Sequence, residues 1–302
     1  MNAGQQRRDT GLRSLQATGV DADTAWLRAA VESFEPRLRE VEGRSAAPAA
    51  WEEPPGIGCG WSCRCCAGRP GRRLDLDRRA RGAGDLSALL AGARRRRRTL
   101  VLGARTDPWG GPAARRTRTR RILEALREEE GLEVVVLTAS PLLLCDRDLL
   151  AALDQAHSLT LELSLVTVDA ALAHRLAPAG PAPAEVLGAV AELAAEGLSV
   201  QLRVRPLMPG PAAETGLARA ASAAAAAGAV DLAASPLVLP FGAPRRRLFT
   251  WLAGEAPERL AAYRRLYRAR TRLPAAVREA LLAPLRRLRL EHGFPRPVPG
   301  RG

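Results

Sequence analysis

The sequence predicts an α/β fold with a parallel sheet or barrel, because short apolar runs rich in β-branched residues alternate with longer segments of helical periodicity. The predicted strands are Thr99–Ala104, Glu133–Thr138, Leu159–Val166, Ser199–Arg205 and Leu232–Leu239. The predicted helices are Ala113–Glu130, Asp146–Ala156, Asp169–Leu176, Ala184–Glu196 and the Ala-rich Ala212–Gly228. Helices of this length between strands are typical of crossover connections, which place neighbouring strands parallel.

The two ends of the chain differ from this alternating centre. Residues 1–50 are predicted to be an N-terminal extension with one amphipathic helix, Ala22–Val41, followed by the linker-like stretch SAAPAAWEEPP. Residues 243–302 are predicted to be a helical tail, in which one helix is followed by a second after Pro274. Six residues of the first helix have the spacing of a packed apolar face: Trp251, Leu252, Leu260, Tyr263, Leu266 and Tyr267. The remaining residues, 51–242, are expected to form the core unit.

The charge of the chain permits two interpretations. Its 302 residues have a formal net charge of +14, from 46 Lys and Arg against 32 Asp and Glu, and such an excess attracts nucleic acid and other polyanions. A chain rich in Ala, Arg, Gly and Pro is also typical of a GC-rich genome, which raises the Arg count without a polyanionic partner. The run Arg94 to Arg98 is typical of a solvated loop.

Targeting signals are missing from the sequence. No apolar run has the length of a membrane helix, and the first residues lack the apolar stretch of a signal peptide. We therefore expect a cytoplasmic protein.

Four of the five cysteines lie in the segment GCGWSCRCC, which is too tight for a disulfide framework in a chain of this size. Cys59, Cys63 and Cys66 have the spacing CxxxCxxC, which allows soft thiolates on one loop to converge on three irons of a cubane cluster. The fourth iron would lack a protein ligand and could be chelated by the amino and carboxylate groups of S-adenosylmethionine (SAM). The spacing alone leaves two alternatives open: a chance cluster of cysteines, or a zinc site whose fourth ligand is Cys65, Cys145 or His157.

Four segments resemble radical SAM proteins of the spore-photoproduct-lyase-like group, especially an actinobacterial branch, over roughly Gly58 to His292. They are GCGWSCRCCAGR, GARTDPWGGPAARRTRTRRILEAL, VVVLTASPLLLCDRDLLAAL and LELSLVTVDAALAHRLAPAGPAPAEVLGAVAELAAEGLSVQLRVRPLMPG. The tail segment WLAGEAPERLAAYRRLY is similar to the same branch. The resemblance implies a partial (β/α)6 barrel with the cysteine loop after the first strand and SAM across the carboxyl ends of the strands.

The resemblance also implies roles for individual residues. Cys59, Cys63 and Cys66 correspond to the ligands of a 4Fe-4S cluster. Contacts with SAM are implied for residues in three of the segments: Thr106, Asp107 and Pro108 near its amino group, Ser140 in the third segment, and Ser164 at its carboxylate or ribose. Asp146, Asp169, Pro178 and Pro209 also fit the pattern of the family.

Several positions depart from the family pattern. Trp61 replaces a His and Cys65 an aromatic residue, while Ala139 stands where a Lys would meet the SAM carboxylate and Ala177 where the family has Glu. Arg203 is the nearby cation that could replace the missing Lys.

The resemblance implies a radical SAM enzyme that cleaves SAM reductively to a 5'-deoxyadenosyl radical and needs an electron donor such as a flavodoxin or ferredoxin. Its substrate is not written in the sequence. A cluster-containing binding protein that has lost turnover is the alternative. DNA photoproduct repair is less favoured, because Arg105 stands where the lyases have the Cys implied as hydrogen donor.

Overall fold

The structure is a computed structural model that describes residues 51–52, 61–65, 100–103, 107–111 and 113–294. Its sheet has six strands: β1 (Trp51–Glu52), β2 (Leu100–Leu102), β3 (Glu133–Thr138), β4 (Ser158–Leu165), β5 (Val200–Leu207) and β6 (Asp231–Pro236). Each strand pairs in parallel with the next one along the chain. The predicted α/β class with parallel strands is therefore confirmed.

The helices follow the predicted alternation. Those of the core are α1 (Ala113–Arg127), α2 (Arg147–Ala156), α3 (Ala170–Leu176), α4 (Pro183–Ala195) and α5 (Ala213–Ala226), with a 3-10 helix at Pro141–Asp146 before α2. The tail contains α6 (Ala243–Glu255), α7 (Pro257–Leu266) and α8 (Ala275–Glu291). In the described part of the chain, no helix is long and apolar enough to cross a membrane.

Two segments have different bounds in the structure from those predicted. The stretch predicted to be a linker contains β1, which pairs with Leu100 and Val101. The first tail helix was predicted to be continuous, but it is two helices with a break at Ala256, because Pro257 lacks an N–H and disfavours helical geometry in the residue before it. The helix predicted at Ala22–Val41 lies outside the described residues, and the domain boundaries stay predictions.

The two faces of the sheet differ in polarity. Val134, Leu161 and Leu202 are fully or almost fully buried on the face against which the helices pack. The opposite face carries polar residues of β4 and β5, which the parallel register places side by side, as with Ser164 and Arg203. This polar face is the interior of the partial barrel.

The helical tail is attached at the carboxyl edge of β5 and β6. The hydroxyl of Tyr263 donates to the carbonyl of Pro209 after β5, and the hydroxyl of Tyr267 donates to the carbonyl of Leu237 after β6, each at 2.8 Å. Burial raises the pKa of both phenols above its usual value. The predicted apolar face of the tail thus also attaches the tail to the sheet through the hydroxyl groups of these two tyrosines.

Candidate active site

The loop between β2 and α1 lies at the carboxyl edge of the sheet, where ligands bind in open parallel sheets. Asp107 lies in this loop and is 8% exposed. Its carboxylate accepts hydrogen bonds from the backbone N–H groups of Trp109 at 3.1 Å and Gly110 at 2.9 Å. From β3 it accepts the hydroxyl of Thr138 at 2.8 Å and the N–H of Ala139 at 2.7 Å.

These four donors fill the acceptor capacity of the Asp107 carboxylate, which has about four lone-pair positions. Burial raises the pKa of Asp107 above its usual value, although the hydrogen bonds act in the opposite direction. Asp107 therefore holds the loop against the end of β3. Direct contact with an ammonium group, as the resemblance implies, would have to displace one of these donors.

Three more contacts fix the same loop. The indole Nε1 of Trp109 donates to Asp146 at 2.8 Å, and Arg120 of α1 donates to the other carboxylate oxygen of Asp146 at 2.6 Å. The hydroxyl of Thr119 donates to the carbonyl of Pro108 at 2.8 Å. The residues that carry the family resemblance in the second and third segments thus contact one another.

Two serines predicted to contact SAM lie at the ends of β3 and β4. Ser140 is 4% exposed and begins the 3-10 helix, where its Oγ accepts from the N–H of Leu142 at 3.3 Å. Ser164 is half-buried, and its hydroxyl donates to the carbonyl of Thr138 at 3.3 Å. Of the two, Ser164 is the one that a ligand in the barrel can reach.

Arg203 is half-buried on the interior face, one strand from Ser164. Its guanidinium forms an ion pair with the buried carboxylate of Glu162 at 2.5 Å and donates to the hydroxyl of Ser235 at 2.8 Å. Glu162 and Ser235 were not predicted as site residues. The alternation of β4 could have indicated Glu162, since it shares a face with Ser164.

The described part of the cysteine loop, residues 61–65, contacts the connection between α3 and α4. The N–H of Arg64 donates to Leu176 O at 2.7 Å, and the N–H of Ala179 donates to Trp61 O at 3.4 Å. Because α4 runs back to the amino edge of the sheet, the connection before it lies at the carboxyl edge. The cysteine loop therefore lies at the same edge as Asp107 and Ser164.

The two hydrogen bonds join segments that each contain a departure from the family pattern, Trp61 on one and Ala177 on the other. Cys63 lies between Trp61 and Arg64 on one segment, and Ala177 lies between Leu176 and Ala179 on the other. The family residues replaced at Trp61 and Ala177 would therefore belong to one neighbourhood, although they are far apart in sequence.

The thiols fit an iron–sulfur cluster in their chemistry. Cys63 is half-buried, so a group bound there would be partly shielded from water, and neither Cys63 nor Cys65 is in a disulfide. Cys65 is 3% exposed in the main hydrophobic cluster, which also contains Tyr263 of α7. Cys59, Cys66 and Thr106 lie outside the described residues.

Of the other two candidate zinc ligands, His157 lies at the amino edge of the sheet, opposite to this loop. The Nδ1 of His157 accepts from the N–H of Leu132 at 3.3 Å, so its Nε2 donates to the carbonyl of Leu126 at 2.9 Å. Both ring nitrogens are thus engaged in hydrogen bonds at the amino edge of the sheet. Cys145 is exposed in the 3-10 helix. Among the described residues, no group of three or more His, Cys, Asp or Glu side chains could hold a metal ion.

No protein-family model matches the chain. The sequence is 30% identical over 264 residues to uncharacterized proteins of Mycobacterium tuberculosis and Mycobacterium bovis, a match that covers 82% of this chain and 77% of each relative.

Several solved structures share the fold. Streptococcus suis SuiB bound to S-adenosylmethionine has a TM-score of 0.50 at 15% identity, over 84% of this chain and 59% of SuiB. SuiB bound to its precursor peptide SuiA has a TM-score of 0.51 at 14% identity, over 84% of this chain and 58% of SuiB. A spore photoproduct lyase variant with bound AdoMet and dinucleoside spore photoproduct has a TM-score of 0.50 at 14% identity, over 71% of this chain and 65% of the lyase. The chain thus spans less than two thirds of these proteins, and at such identities the likeness is one of fold.

Proposed function

We propose that this chain, which belongs to the same family as the mycobacterial proteins, is a radical SAM enzyme acting on a substrate held in the interior of the barrel. The observation that carries the proposal is that residues 61–65, the Asp107 loop and Ser164 all lie at the carboxyl edge of a sheet with the radical SAM fold. In a parallel sheet this edge is where cofactors and substrates bind.

Cys59, Cys63 and Cys66 would hold a 4Fe-4S cluster, which supplies the electron that cleaves SAM into methionine and a 5'-deoxyadenosyl radical. The chain contributes the shielding of that site. Cys65 of the loop is buried in the same hydrophobic cluster as Tyr263, and Leu176 and Ala179 form backbone hydrogen bonds with the loop. Thiol ligands that are partly removed from water favour a stable cluster.

Ser164 and Arg203 are the residues proposed to bind the carboxylate of SAM. Both are half-buried on the interior face, and the register places them side by side. Glu162 and Ser235 orient the guanidinium, so that its remaining N–H groups can donate to a carboxylate. Ala139 contributes a backbone N–H to Asp107, where the family resemblance would place a Lys side chain.

Asp107 and Ser140 are proposed to act as positioning residues. Asp107 ties the loop of Thr106 and Pro108 to β3, and Ser140 starts the 3-10 helix on the same strand end. Thr106 would then present its hydroxyl or backbone to the amino group of SAM.

The first experiment is an anaerobic assay of the full chain. After cluster reconstitution, the protein is reduced with dithionite in the presence of SAM, and 5'-deoxyadenosine is measured by chromatography. We expect product from the wild type and from Cys145→Ala, and none from Cys63→Ala. Equal iron content in the Cys63→Ala and Cys145→Ala variants would contradict the ligand assignment.

The SAM contacts are tested separately by equilibrium binding. Arg203→Lys keeps the charge but loses the planar fork, so we expect weaker SAM binding by about tenfold, or about 1.4 kcal/mol. Ser164→Ala should have a smaller effect in the same direction. Unchanged affinity in Arg203→Lys would remove this residue from the proposed site.

The second candidate is a cluster-containing binding protein without turnover. It is favoured by the missing polar groups at Ala139 and Ala177, both of which lie on segments that form the site. A reconstituted cluster that binds SAM but yields no 5'-deoxyadenosine would establish it. Zinc in place of iron would contradict both candidates.

A further inference from the structure

The tail helix α7 has two sides with opposite properties. Its inner side carries Tyr263, which is buried in the same cluster as Cys65 and interacts with it electrostatically. Its outer side carries exposed residues at the spacing of one helical face, Ala261, Arg264 and Arg265, and the exposed Arg268 continues that spacing beyond the helix. A helix is about 10 Å thick with its side chains, so this outer side is about one helix away from the cysteine loop.

The outer side belongs to a larger basic face. It consists of five exposed arginines within nine residues: Arg264, Arg265, Arg268, Arg270 and Arg272. The twenty residues from 259 to 278 contain no Asp or Glu, and none of the five arginines forms an ion pair with another described residue. Two exposed arginines elsewhere, Arg147 and Arg175, are paired with glutamates.

An exposed aromatic side chain borders the basic face. Phe241 is 57% exposed, and the guanidinium of Arg245 lies 4.0 Å above its ring. The two segments are joined, because the N–H of Leu239 donates to Thr271 O at 2.7 Å and Arg245 donates to Arg270 O at 2.7 Å. Arginine and aromatic residues are the types enriched at protein interfaces.

We propose that the basic face is the docking surface for a small acidic one-electron donor protein. This inference rests on the proposed function, since a cluster that cleaves SAM must first be reduced by an electron from outside the chain. The unneutralised arginines would attract and orient an acidic partner, and α7 would bring it close to the cysteine loop. The electron passes from the reduced cofactor of the donor to the cluster, and no bond is formed or broken in the docking step.

A nucleic acid is the competing occupant, and the scarcity of exposed aromatic rings disfavours it. Single-strand binders stack successive bases on several aromatic rings, whereas Phe241 is the single exposed aromatic residue on this face within the described residues.

The test compares two charge-reversed forms of the full chain. The first carries Arg264→Glu, Arg265→Glu and Arg268→Glu. The control carries Arg121→Glu, Arg219→Glu and Arg286→Glu on α1, α5 and α8, at exposed positions away from the basic face. Each set replaces three positive charges by three negative ones, so both forms have the same net charge.

Binding of an oxidised bacterial flavodoxin to each form is measured at low and high ionic strength. We expect the wild type and the control to bind with salt-sensitive affinity, and the basic-face variant to bind at least about tenfold more weakly at low salt. Equal affinities of the two variants would overturn the proposal. Binding of a single-stranded oligonucleotide, but not flavodoxin, at this face would overturn it in favour of nucleic acid.

Cluster reduction gives a second readout. Reduced flavodoxin should reduce the cluster of the basic-face variant at least about tenfold more slowly than that of the control, whereas dithionite, which needs no docking surface, should reduce both at equal rates. If the wild type forms no 5'-deoxyadenosine with dithionite, the proposed function fails, and the flavodoxin binding comparison still decides the docking surface.

Discussion

The hydroxyl of Thr138 lies 2.8 Å from both carboxylate oxygens of Asp107, which joins the loop after β2 to the end of β3. The backbone N–H of Ala139 reinforces this junction at 2.7 Å. Because Ser164 in turn donates to Thr138 O, the ends of β2, β3 and β4 form one hydrogen-bonded row. This row is the rigid support on which the proposed SAM site depends.

Asp107→Asn tests that support. An amide has one acceptor oxygen, so it cannot accept from the loop N–H groups and from Ala139 at once, and one buried donor is left without a partner. We expect the free energy of unfolding to fall by about 1–3 kcal/mol in urea denaturation.

The matched control is Asp169→Asn. Asp169 caps α3 and accepts from the N–H of Leu172 at 2.9 Å, and Asn caps helices as well as Asp does. We expect almost no change there. An equally small change at Asp107 would show that its carboxylate is not the junction described.

Removing only one partner of the interior ion pair between Arg203 and Glu162 should lower the free energy of unfolding. Arg203→Met leaves a buried carboxylate without its partner, and we expect a loss of about 3 kcal/mol of stability. In the double variant Glu162→Met with Arg203→Met the loss should be much smaller, because no charge remains buried. A double variant less stable than Arg203→Met would contradict this account. Chemical denaturation of the wild type and both variants decides it.

The tyrosines provide a pH prediction, because Tyr263 and Tyr267 are the only two in the chain. Burial raises the pKa of both above the unfolded value near 10. A raised pKa in the folded state means that their contribution to stability is complete below pH 10 and is lost as the pH rises above it.

We therefore expect no tyrosinate absorbance from the native protein near pH 10, and its appearance only when alkali unfolds the chain, as followed by circular dichroism. Ionisation near pH 10 without unfolding would contradict the burial of either phenol. Tyr263→Phe and Tyr267→Phe should each destabilise the chain by about 1–3 kcal/mol, because a buried carbonyl loses its donor.

His157→Leu separates a structural histidine from a zinc ligand. The substitution leaves the buried N–H of Leu132 without its acceptor, so we expect a loss of about 1–3 kcal/mol in stability. Metal content after purification should equal that of the wild type. A drop in bound metal would show that His157 is a zinc ligand.

The sequence predicted local structure better than it predicted contacts. The bounds of β3 agree with the prediction, because the apolar run Glu133–Thr138 ends at clear polar and turn signals. The break at Ala256 was missed, although Pro257 is visible in the sequence, because the apolar periodicity continues through it.

The partners of the site residues could not be predicted in the same way. Asp107, which follows β2, accepts a hydrogen bond from Thr138 at the end of β3. Arg203 on β5 contacts Glu162 on β4 and Ser235 on β6. Such pairs depend on strand register, which a single sequence does not specify. The resemblance indicated which residues gather at the carboxyl edge, while the structure shows which of them hold one another.

The backbone pairing of the cysteine loop has a consequence for the order of assembly. The N–H of Arg64 donates to Leu176 O, about 110 residues later in the chain, so the two cannot pair until that stretch has been synthesised. The cysteines therefore leave the ribosome long before their neighbours do. For the proposed cluster to be assembled, the thiols would have to stay reduced during that interval.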